Sequence, residues 1–404
     1  MDKKLSINIS SRALVIVLQL INIKLYTESL LAEQLGIFFF ILAFSYIFNA
    51  VLFVPVELFQ QTRVHIEMHE NNSLYKVFLL SRDVTIIYFI FVSFAVLFAY
   101  LLYEKYLQLV FLSLVLSYFI YLVQFLRNTL NNLGYGDLVS ISYIIESLLK
   151  VVIFYLMMTS VTVDELNLLM SWVVSLLITF LFLILFANKI KLFSYIVTEK
   201  YKAKKLYRFS YPISIGAVLN WAQLQGYRIV LVPLGYAELV GFYATLSNIG
   251  SSAIGVVSLI YNHQFLPEIY KTKGETLWSF IAGVVLLIFA LIFSFFLVGE
   301  VFIDILVGDD FSKHWWIVIY GILVDGANLI IGVLSVYITI NGKTFSTIYP
   351  SIVAIVAMLF IYISFYLFDN MGVYTIGIPI IAAQCVLTIM LMRICKKIGK
   401  KKYE

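Results

Sequence analysis

The stretch NKIKLFSYIVTEKYKAKKLYR, from Asn188 to Arg208, carries seven Lys/Arg and interrupts an almost continuous series of apolar segments. Six segments of near-spanning length precede it and six follow it. Because each half then has an even number of spans, both halves enter the bilayer from the same side. This layout is typical of transporters built from two parallel repeats, which are related by an axis normal to the membrane.

The composition excludes a soluble protein. The 404 residues are 62% hydrophobic and 13% charged, whereas soluble domains carry about 25% charged residues. Each helical span needs roughly 20 apolar residues, so twelve spans need about 240 residues and leave room only for short connections. The sequence therefore predicts an all-α polytopic membrane protein, without a hidden soluble domain.

The apolar segments define the predicted domains. We predict twelve spans, at 10–26, 34–55, 84–103, 107–126, 138–159, 166–187, 209–232, 239–262, 279–303, 315–340, 346–368 and 372–394. They form an N-terminal six-helix bundle over 1–190 and a C-terminal six-helix bundle with a basic tail over 209–404. A basic cytoplasmic linker over 191–208 joins the two bundles.

Lysine and arginine set the predicted orientation. We first place both termini in the cytoplasm. Of the 28 Lys/Arg, two then lie in outer loops, four lie within or at the ends of spans, and 22 lie on the inner side. This distribution obeys the positive-inside rule, and the reversed orientation violates it. The net charge of +5 is thus a topology signal with some attraction to lipid headgroups, not a nucleic-acid signal. The segment from Glu57 to Lys76 is predicted as a solvated cytoplasmic helix or turn.

The first and seventh spans carry the polar side chains that we predict to line a cavity. Charged and amide groups inside a membrane are costly and usually face a bundle interior or water. At helical spacing, several of these groups share a stripe on each span. The alternatives are that the basic residues extend to the membrane interfaces or that the polar groups clamp neighbouring helices. The residues are Arg12, Gln19, Asn22 and Lys24 on the first span, and Asn220, Gln223 and Arg228 on the seventh.

Two other spans carry ionisable groups. Glu146 and Lys150 are four residues apart on the fifth span, a spacing that favours an ion pair. The pair could be purely structural, or an anion could compete for Lys150 and a proton for Glu146. Asp325 lies near the middle of the tenth span, with no basic residue within a preceding turn. It is a candidate for carrying H⁺ or Na⁺, and the alternative is a hydrogen bond to a neighbouring helix.

A faint internal repeat relates the two halves. AEQLGIF, from Ala32 to Phe38, opens the second span, and AELVGFY, from Ala237 to Tyr243, opens the eighth. Lys24 and Arg228 lie just upstream of these segments and are 204 residues apart, whereas the segments themselves are 205 residues apart. The positions of these matches in the span map favour a duplicated six-helix unit.

The stretch from Asn220 to Gly250 resembles the seventh and eighth helices of bacterial O-antigen and polysaccharide-unit flippases. These proteins belong to the multidrug/oligosaccharidyl-lipid/polysaccharide (MOP) exporter superfamily. The resemblance depends on a Trp, an Asp-Arg pair, a Leu-Gly turn and a Val-Gly-x-Tyr sequence. Here these features are Trp221, Tyr227-Arg228, Leu234-Gly235 and Val240-Gly241-Phe242-Tyr243. Tyr227 replaces the acid, so a role that requires this carboxylate does not carry over.

The resemblance implies a flippase without a cofactor. Its cargo would be a polyprenyl-pyrophosphate-linked oligosaccharide that passes from the inner to the outer leaflet by alternating access. Arg228 would contact the pyrophosphate, and an H⁺ or Na⁺ gradient would drive transport. The resemblance also implies the bacterial inner membrane as the location, with membrane lipids and other polysaccharide-assembly proteins as partners.

Three other functions compete with this interpretation. A drug/cation antiporter of the same superfamily would have the same fold but a less cationic cavity. In the predicted spans four basic residues stand against two acids, Glu146 and Asp325, which favours an anionic cargo. A membrane polymerase or glycosyltransferase is disfavoured by short outer loops and by the lack of a nucleotide-binding motif. A lipid scaffold without transport is disfavoured by the aligned polar residues within the spans.

Overall fold

A computed structural model describes residues 3–102, 107–160, 163–195, 201, 203–272 and 274–400. The regular structure in these residues is helical, and each of the twelve predicted spans overlaps a long helix. Within this part of the chain, nine helices are long and apolar enough to cross a membrane. The predicted all-α polytopic fold is therefore confirmed.

The helices of the first half connect through short turns. They are α1 (Lys3–Ser29), α2 (Ala32–Phe48), a π-helix (Asn49–Phe53), α3 (Val54–Asn71), α4 (Tyr75–Leu102), α5 (Leu107–Asn132), α6 (Gly136–Ser160) and α7 (Glu165–Lys189). The π-helix joins α2 to α3 without a break, so one helical run continues well beyond the predicted span at 34–55.

The second half has the same character. Its helices are α8 (Ala203–Leu231), α9 (Ala237–Lys271), α10 (Leu277–Leu306), the short α11 (Asp309–Ser312), α12 (Ile317–Ile340), a 3₁₀ turn (Thr344–Thr347), α13 (Ile348–Leu367) and α14 (Gly377–Lys400). The last turns of the C-terminal helix contain Lys396, Lys397 and Lys400, and the cytoplasmic location of these residues stays a prediction.

The chain divides into two compact units. The first unit consists of Met1–Asn22 and Phe40–Val218, and the second of Ile23–Phe39 and Leu219–Glu404. Helices α1 and α2 therefore each contribute residues to both units. The bundle boundaries at residues 190 and 209 stay predictions. Residues 196–200 and 202 of the predicted linker lie outside the described part of the chain.

In the first unit, α7 presents small hydroxyl side chains to the interior. Ser171, Ser175 and Thr179 follow one another at four-residue spacing, and all three are fully buried. Their hydroxyls donate to carbonyls of their own helix, with Ser175 bonded to the Ser171 carbonyl at 2.6 Å. Small residues at this spacing allow helix backbones to approach closely in a membrane. They explain why α7 packs against both α5 and α6.

In the second unit, α12 is the central helix and packs against α9, α10 and α14. Its contact with α9 depends on glycine. A Cβ atom at Gly250 would lie 2.1 Å from the Val318 carbonyl oxygen, and one at Gly321 would lie 1.9 Å from the Ser247 carbonyl oxygen. These two helices can therefore approach each other only without side chains at those two positions.

The prediction that the segment from Glu57 to Lys76 is solvated was wrong in part. Most of the segment is helical, as α3, but Glu57 is 9% exposed and Glu67 is 1% exposed. Glu67 accepts hydrogen bonds from the Tyr201 hydroxyl and from Asn71. These carboxylates are buried because α3 packs against α4 and α5.

Candidate functional site

The first unit contains a buried charged cluster around Glu146. On α6, Lys150 Nζ donates to Glu146 Oε1 at 2.6 Å, as their four-residue spacing predicts. The Lys150 ammonium also lies 3.7 Å from the centroid of the Trp172 ring on α7. Both side chains of the pair are largely buried, with exposed fractions of 12% and 15%. Burial makes this pair far less screened by salt than a surface pair.

Arg127 on α5 is a second cation in this cluster. Its Nη1 lies 2.7 Å from Glu146 Oε2, while its Nε and Nη2 donate to the hydroxyl and the carbonyl of Ser142 at 2.9 Å. These bonds fix the planar guanidinium, and the side chain is only 5% exposed. One carboxylate is thus shared between two buried cations.

Arg12 adds a third positive charge. Its guanidinium lies 4.2 Å from the centroid of the Tyr143 ring, and the Arg127 guanidinium lies 3.7 Å from the same ring. Arg12 is half-buried, and the structure places no carboxylate in an ion pair with it among the described residues. The cluster therefore contains three cations and one carboxylate, Glu146, and has a net positive charge.

The other predicted cavity residues of α1 do not share one environment with Arg12. Gln19 is exposed, whereas Asn22 is buried. Lys24 belongs to the second unit, where its Nζ donates to the Ile305 carbonyl at 2.8 Å and lies 3.0 Å from Glu28. Lys24 therefore forms its contacts near the C-terminal end of α1, with Glu28 on the same helix and with the backbone of α10.

On α8, the predicted residues lie in two different environments within the second unit. Arg228 is 5% exposed, and its Nε donates to the Tyr227 hydroxyl at 2.9 Å. The Phe39 ring centroid lies 5.1 Å from its guanidinium. Gln223 is fully buried and donates to the Ser351 carbonyl at 3.2 Å, while Asn220 is half-buried. These contacts place the Arg228 guanidinium among aromatic rings, whose faces attract a cation.

Asp325 lines a cavity between α9 and α12. The cavity has a volume of about 430 Å³ and begins just beyond the close contact at Gly250 and Gly321. Ser251 interacts with the Asp325 carboxylate. The walls combine polar groups with apolar side chains, and the lining residues are Ser251, Ile254, Gly255, Ser258, Asp325, Asn328, Leu329, Gly332, Val333 and Val336.

Sequence reasoning missed Arg127 because the fourth span was predicted to end at residue 126. The helix in fact continues to Asn132, where the turn at Leu133 and Gly134 begins. Glycine is suited to this turn, since Gly134 has φ +89°. This turn was visible in the sequence and would have placed Arg127 on the helix one turn before its end.

Comparisons with known proteins identify the fold. No family model and no curated protein matches the chain. The structure is similar to an outward-facing multidrug resistance MATE transporter of the MOP superfamily, with TM-score 0.59, 13% identity, and coverage of 97% of this chain and 93% of that one. An inward-facing structure of such a transporter matches with TM-score 0.55, 12% identity, and 97% of both chains. The eukaryotic MATE transporter AtDTX14 matches with TM-score 0.57, 12% identity, and 96% and 93% of the two chains.

These similarities extend over nearly the whole chain. The molecule is therefore a multi-pass membrane protein with the fold of MATE transporters of the MOP superfamily. The fold agrees with the sequence-based expectation, while membership of the superfamily and of the narrower family of O-antigen flippases stays a prediction.

Proposed function

We propose that this chain is an alternating-access transporter whose cargo is an amphiphile with an anionic head group. The observation that carries the proposal is the cluster of Arg12, Arg127 and Lys150 around the single carboxylate of Glu146. An excess of buried positive charge is costly unless an anion visits it. A cargo with a negative head group would supply this anion.

We infer that the head group is the pyrophosphate of a polyprenyl-linked oligosaccharide. Its charges and hydroxyls cannot cross hydrocarbon without replacement of their water by polar protein groups. Guanidinium groups bind phosphate oxygens through paired hydrogen bonds, and within the described part of the chain the half-buried Arg12 has fewer contacts than Arg127 or Lys150. Movement from the inner to the outer leaflet, in the bacterial inner membrane, follows from the resemblance in sequence.

Asp325 is our proposed ion-coupling residue. It lies in the second unit beside Ser251 and Asn328, in a cavity whose oxygen atoms suit a proton or Na⁺. A membrane potential contributes about 2.3 kcal/mol per charge per 100 mV, so one bound cation can drive a conformational step.

A drug/cation antiporter is the second candidate, and a specific observation favours it. The similar solved structures include multidrug resistance MATE transporters, so the fold fits this function at least as well as it fits the flippase. The Asp325 cavity has a size suited to a small organic molecule and a carboxylate that would attract a cation. This candidate leaves the net positive charge around Glu146 without a ligand.

Reconstitution in liposomes distinguishes the two candidates. A fluorescent polyprenyl-pyrophosphate oligosaccharide is placed in one leaflet, and its appearance in the other is measured for wild type, Arg12→Gln and Arg82→Gln. Arg82 is the matched control because its side chain is 45% exposed and paired with Asp83. We expect transfer by wild type and Arg82→Gln and a loss of at least tenfold for Arg12→Gln. Uptake of a cationic dye without any lipid transfer would establish the antiporter instead.

A further inference from the structure

We infer that Glu57 forms a binding site for a small cation, H⁺ or Na⁺, between α3 and α5 of the first unit. The site is separate from the Asp325 cavity, which belongs to the second unit. The inference does not depend on the identity of the cargo, because it concerns the charge and the hydrogen bonds of this interface alone.

Glu57 is a buried carboxylate without a cationic partner among the described residues. It is 9% exposed and lies in the first turn of α3, directly after the π-helix and Pro55. Asn128 Nδ2 on α5 donates to its Oε2 at 3.2 Å. A single π-helical turn within an α-helix is frequently found at a functional site. One neutral amide donor does not compensate the charge of a buried carboxylate.

Gln60, one turn further along α3, provides a second unmatched oxygen. This residue is fully buried, and its Nε2 donates to the Thr129 hydroxyl and, at 3.3 Å, to the Phe125 carbonyl. Its Oε1 has no donor among the described residues. An amide oxygen buried without a donor costs free energy. Two acceptor groups at the α3–α5 interface, the Glu57 carboxylate and Gln60 Oε1, thus lack a full set of donors among the described residues.

A small cation bound at Glu57 would supply the positive charge that this carboxylate lacks. Carboxylate, amide carbonyl and hydroxyl oxygens are the ligands of hard cations in proteins. A proton bound to Glu57 would act equally, since a protonated carboxyl is neutral and donates one hydrogen bond. The common requirement is one positive charge delivered to the Glu57 carboxylate.

Among the described residues, the titratable groups of α3 and α5 have other contacts. On α3, the Arg63 guanidinium lies 5.5 Å from the centroid of the Phe59 ring. On α5, the Tyr121 phenol interacts electrostatically with Glu57 and is hydrogen-bonded to Ser81 on α4. Arg127, next to Asn128, is directed to Ser142 and Glu146 on α6.

The described basic residues of α4 also have other partners, and Lys76 Nζ lies 3.9 Å from Glu67 Oε1. On α4, Arg82 is paired with Asp83, and both are over 40% exposed. On the π-helix, the polar side chain is Asn49, which donates to the Ser117 carbonyl at 3.0 Å.

Thermal unfolding of the purified full chain in nanodiscs tests the inference. Unfolding temperatures are measured in choline chloride and in NaCl at fixed pH, and then from pH 8 to pH 5 without Na⁺. The variants are wild type, Glu57→Gln and Glu67→Gln. Glu67 is the matched control because it is a buried carboxylate on the same helix that already has partners in Tyr201 and Asn71.

We expect wild type and Glu67→Gln to gain several degrees on addition of the cation, and Glu57→Gln to lose most of this gain. A gain with NaCl at fixed pH identifies Na⁺, and a gain on acidification alone identifies the proton. The same cation response in Glu57→Gln as in wild type would overturn the inference.

Carbodiimide labelling of wild type provides a test that requires no variant. Dicyclohexylcarbodiimide reacts with carboxyl groups in apolar surroundings in their protonated form, and mass spectrometry of the digested chain locates the adduct. We expect an adduct on Glu57 that either increases with acidity or is suppressed by Na⁺ relative to choline. If Glu57→Gln fails to fold, an unlabelled Glu57 under all of these conditions would overturn the inference.

Discussion

Gly36 on α2 lies directly against the backbone carbonyl of Ala237 on α9: a Cβ atom at Gly36 would lie 1.8 Å from the Ala237 oxygen. The contact is reciprocal, because a Cβ atom at Gly241 would lie 1.8 Å from the Ala32 oxygen. Ala32 and Gly36 match Ala237 and Gly241 in the repeated segments AEQLGIF and AELVGFY. Equivalent residues of the two repeats thus contact each other, as the two surfaces of a two-fold contact do.

This contact predicts that alanine is too large at Gly36. Gly36→Ala should lower the free energy of unfolding by about 1–3 kcal/mol, because the new methyl group must displace backbone rather than a flexible side chain. Thermal unfolding in detergent measures the effect. Gly216→Ala is the control, since a Cβ there meets nothing within 4 Å. Equal stability of the two variants would contradict the close contact.

Glu146 is predicted to hold the cationic cluster together. Glu146→Gln should destabilise the protein by about 3–5 kcal/mol, since Arg127 and Lys150 would remain buried without their shared carboxylate. The double variant Glu146→Gln/Lys150→Met should recover part of this loss, because one uncompensated charge is removed. Chemical unfolding of the purified proteins measures both effects.

The control for this prediction is Asp83→Asn. Asp83 also pairs with an arginine, but its side chain is 42% exposed, and surface pairs contribute little. A loss for Glu146→Gln no larger than that for Asp83→Asn would show that the buried network does not stabilise the first unit.

Asp325→Asn should uncouple transport from the ion gradient. The substitution keeps the shape of the cavity but removes the charge that would hold H⁺ or Na⁺. In proteoliposomes, we expect the wild-type rate to rise when a proton or Na⁺ gradient is imposed. The rate of the variant should be the same with and without it. Asp304→Asn on α10 is the control, because Asp304 is exposed; if it behaves as Asp325→Asn does, the coupling role is wrong.

The surroundings of His314, in the turn before α12, predict that the stability of the protein depends on pH. Burial and, to a smaller extent, neighbouring Lys313 lower the pKa of its imidazole from the ordinary value. The ring lies against Phe242 and Tyr374, with centroid distances of 4.9 Å and 5.6 Å. The folded protein therefore binds a proton at His314 more weakly than the unfolded protein does. The stability that the neutral imidazole contributes is complete above about pH 6.5 and is lost as the pH falls below this value.

Unfolding temperatures from pH 7.5 to pH 5 test this sign. We expect His314→Gln to lose less stability on acidification than wild type does. His69→Gln, which changes an exposed histidine, should follow the wild-type curve. A steeper loss on acidification for His314→Gln would show that the imidazole is stabilised in its charged form.

The sequence predicted the helical elements well because hydrophobic length is a local property. Each predicted span overlaps a long helix, and the spacing of Glu146 and Lys150 predicted their ion pair. The ends of the helices were predicted less well. Hydropathy falls where polar residues begin, yet α3 and α5 continue beyond that point because their polar residues find partners in neighbouring helices.

The partners of the polar residues were not predictable from spacing. Gln19 and Asn22 share a predicted stripe with Arg12, but one is exposed and the other buried. Arg12 instead reaches Tyr143, which is distant in sequence. A periodic pattern shows which residues share a helix face, but it contains no information on which helix packs against that face.

The sequence by itself determined the helical character and the approximate positions of the apolar segments, and it predicts twelve spans with the basic residues on the cytoplasmic side. Both follow from local properties of the sequence: the free energy of transferring each apolar segment into hydrocarbon, and the positions of the charged residues near its ends. Only the tertiary structure decided that Arg127 joins Glu146, that Glu57 is buried without a cation among the described residues, and that Asp325 lines a cavity. The physical reason is that the environment of a charge depends on side chains brought close by packing, from positions far away in the chain.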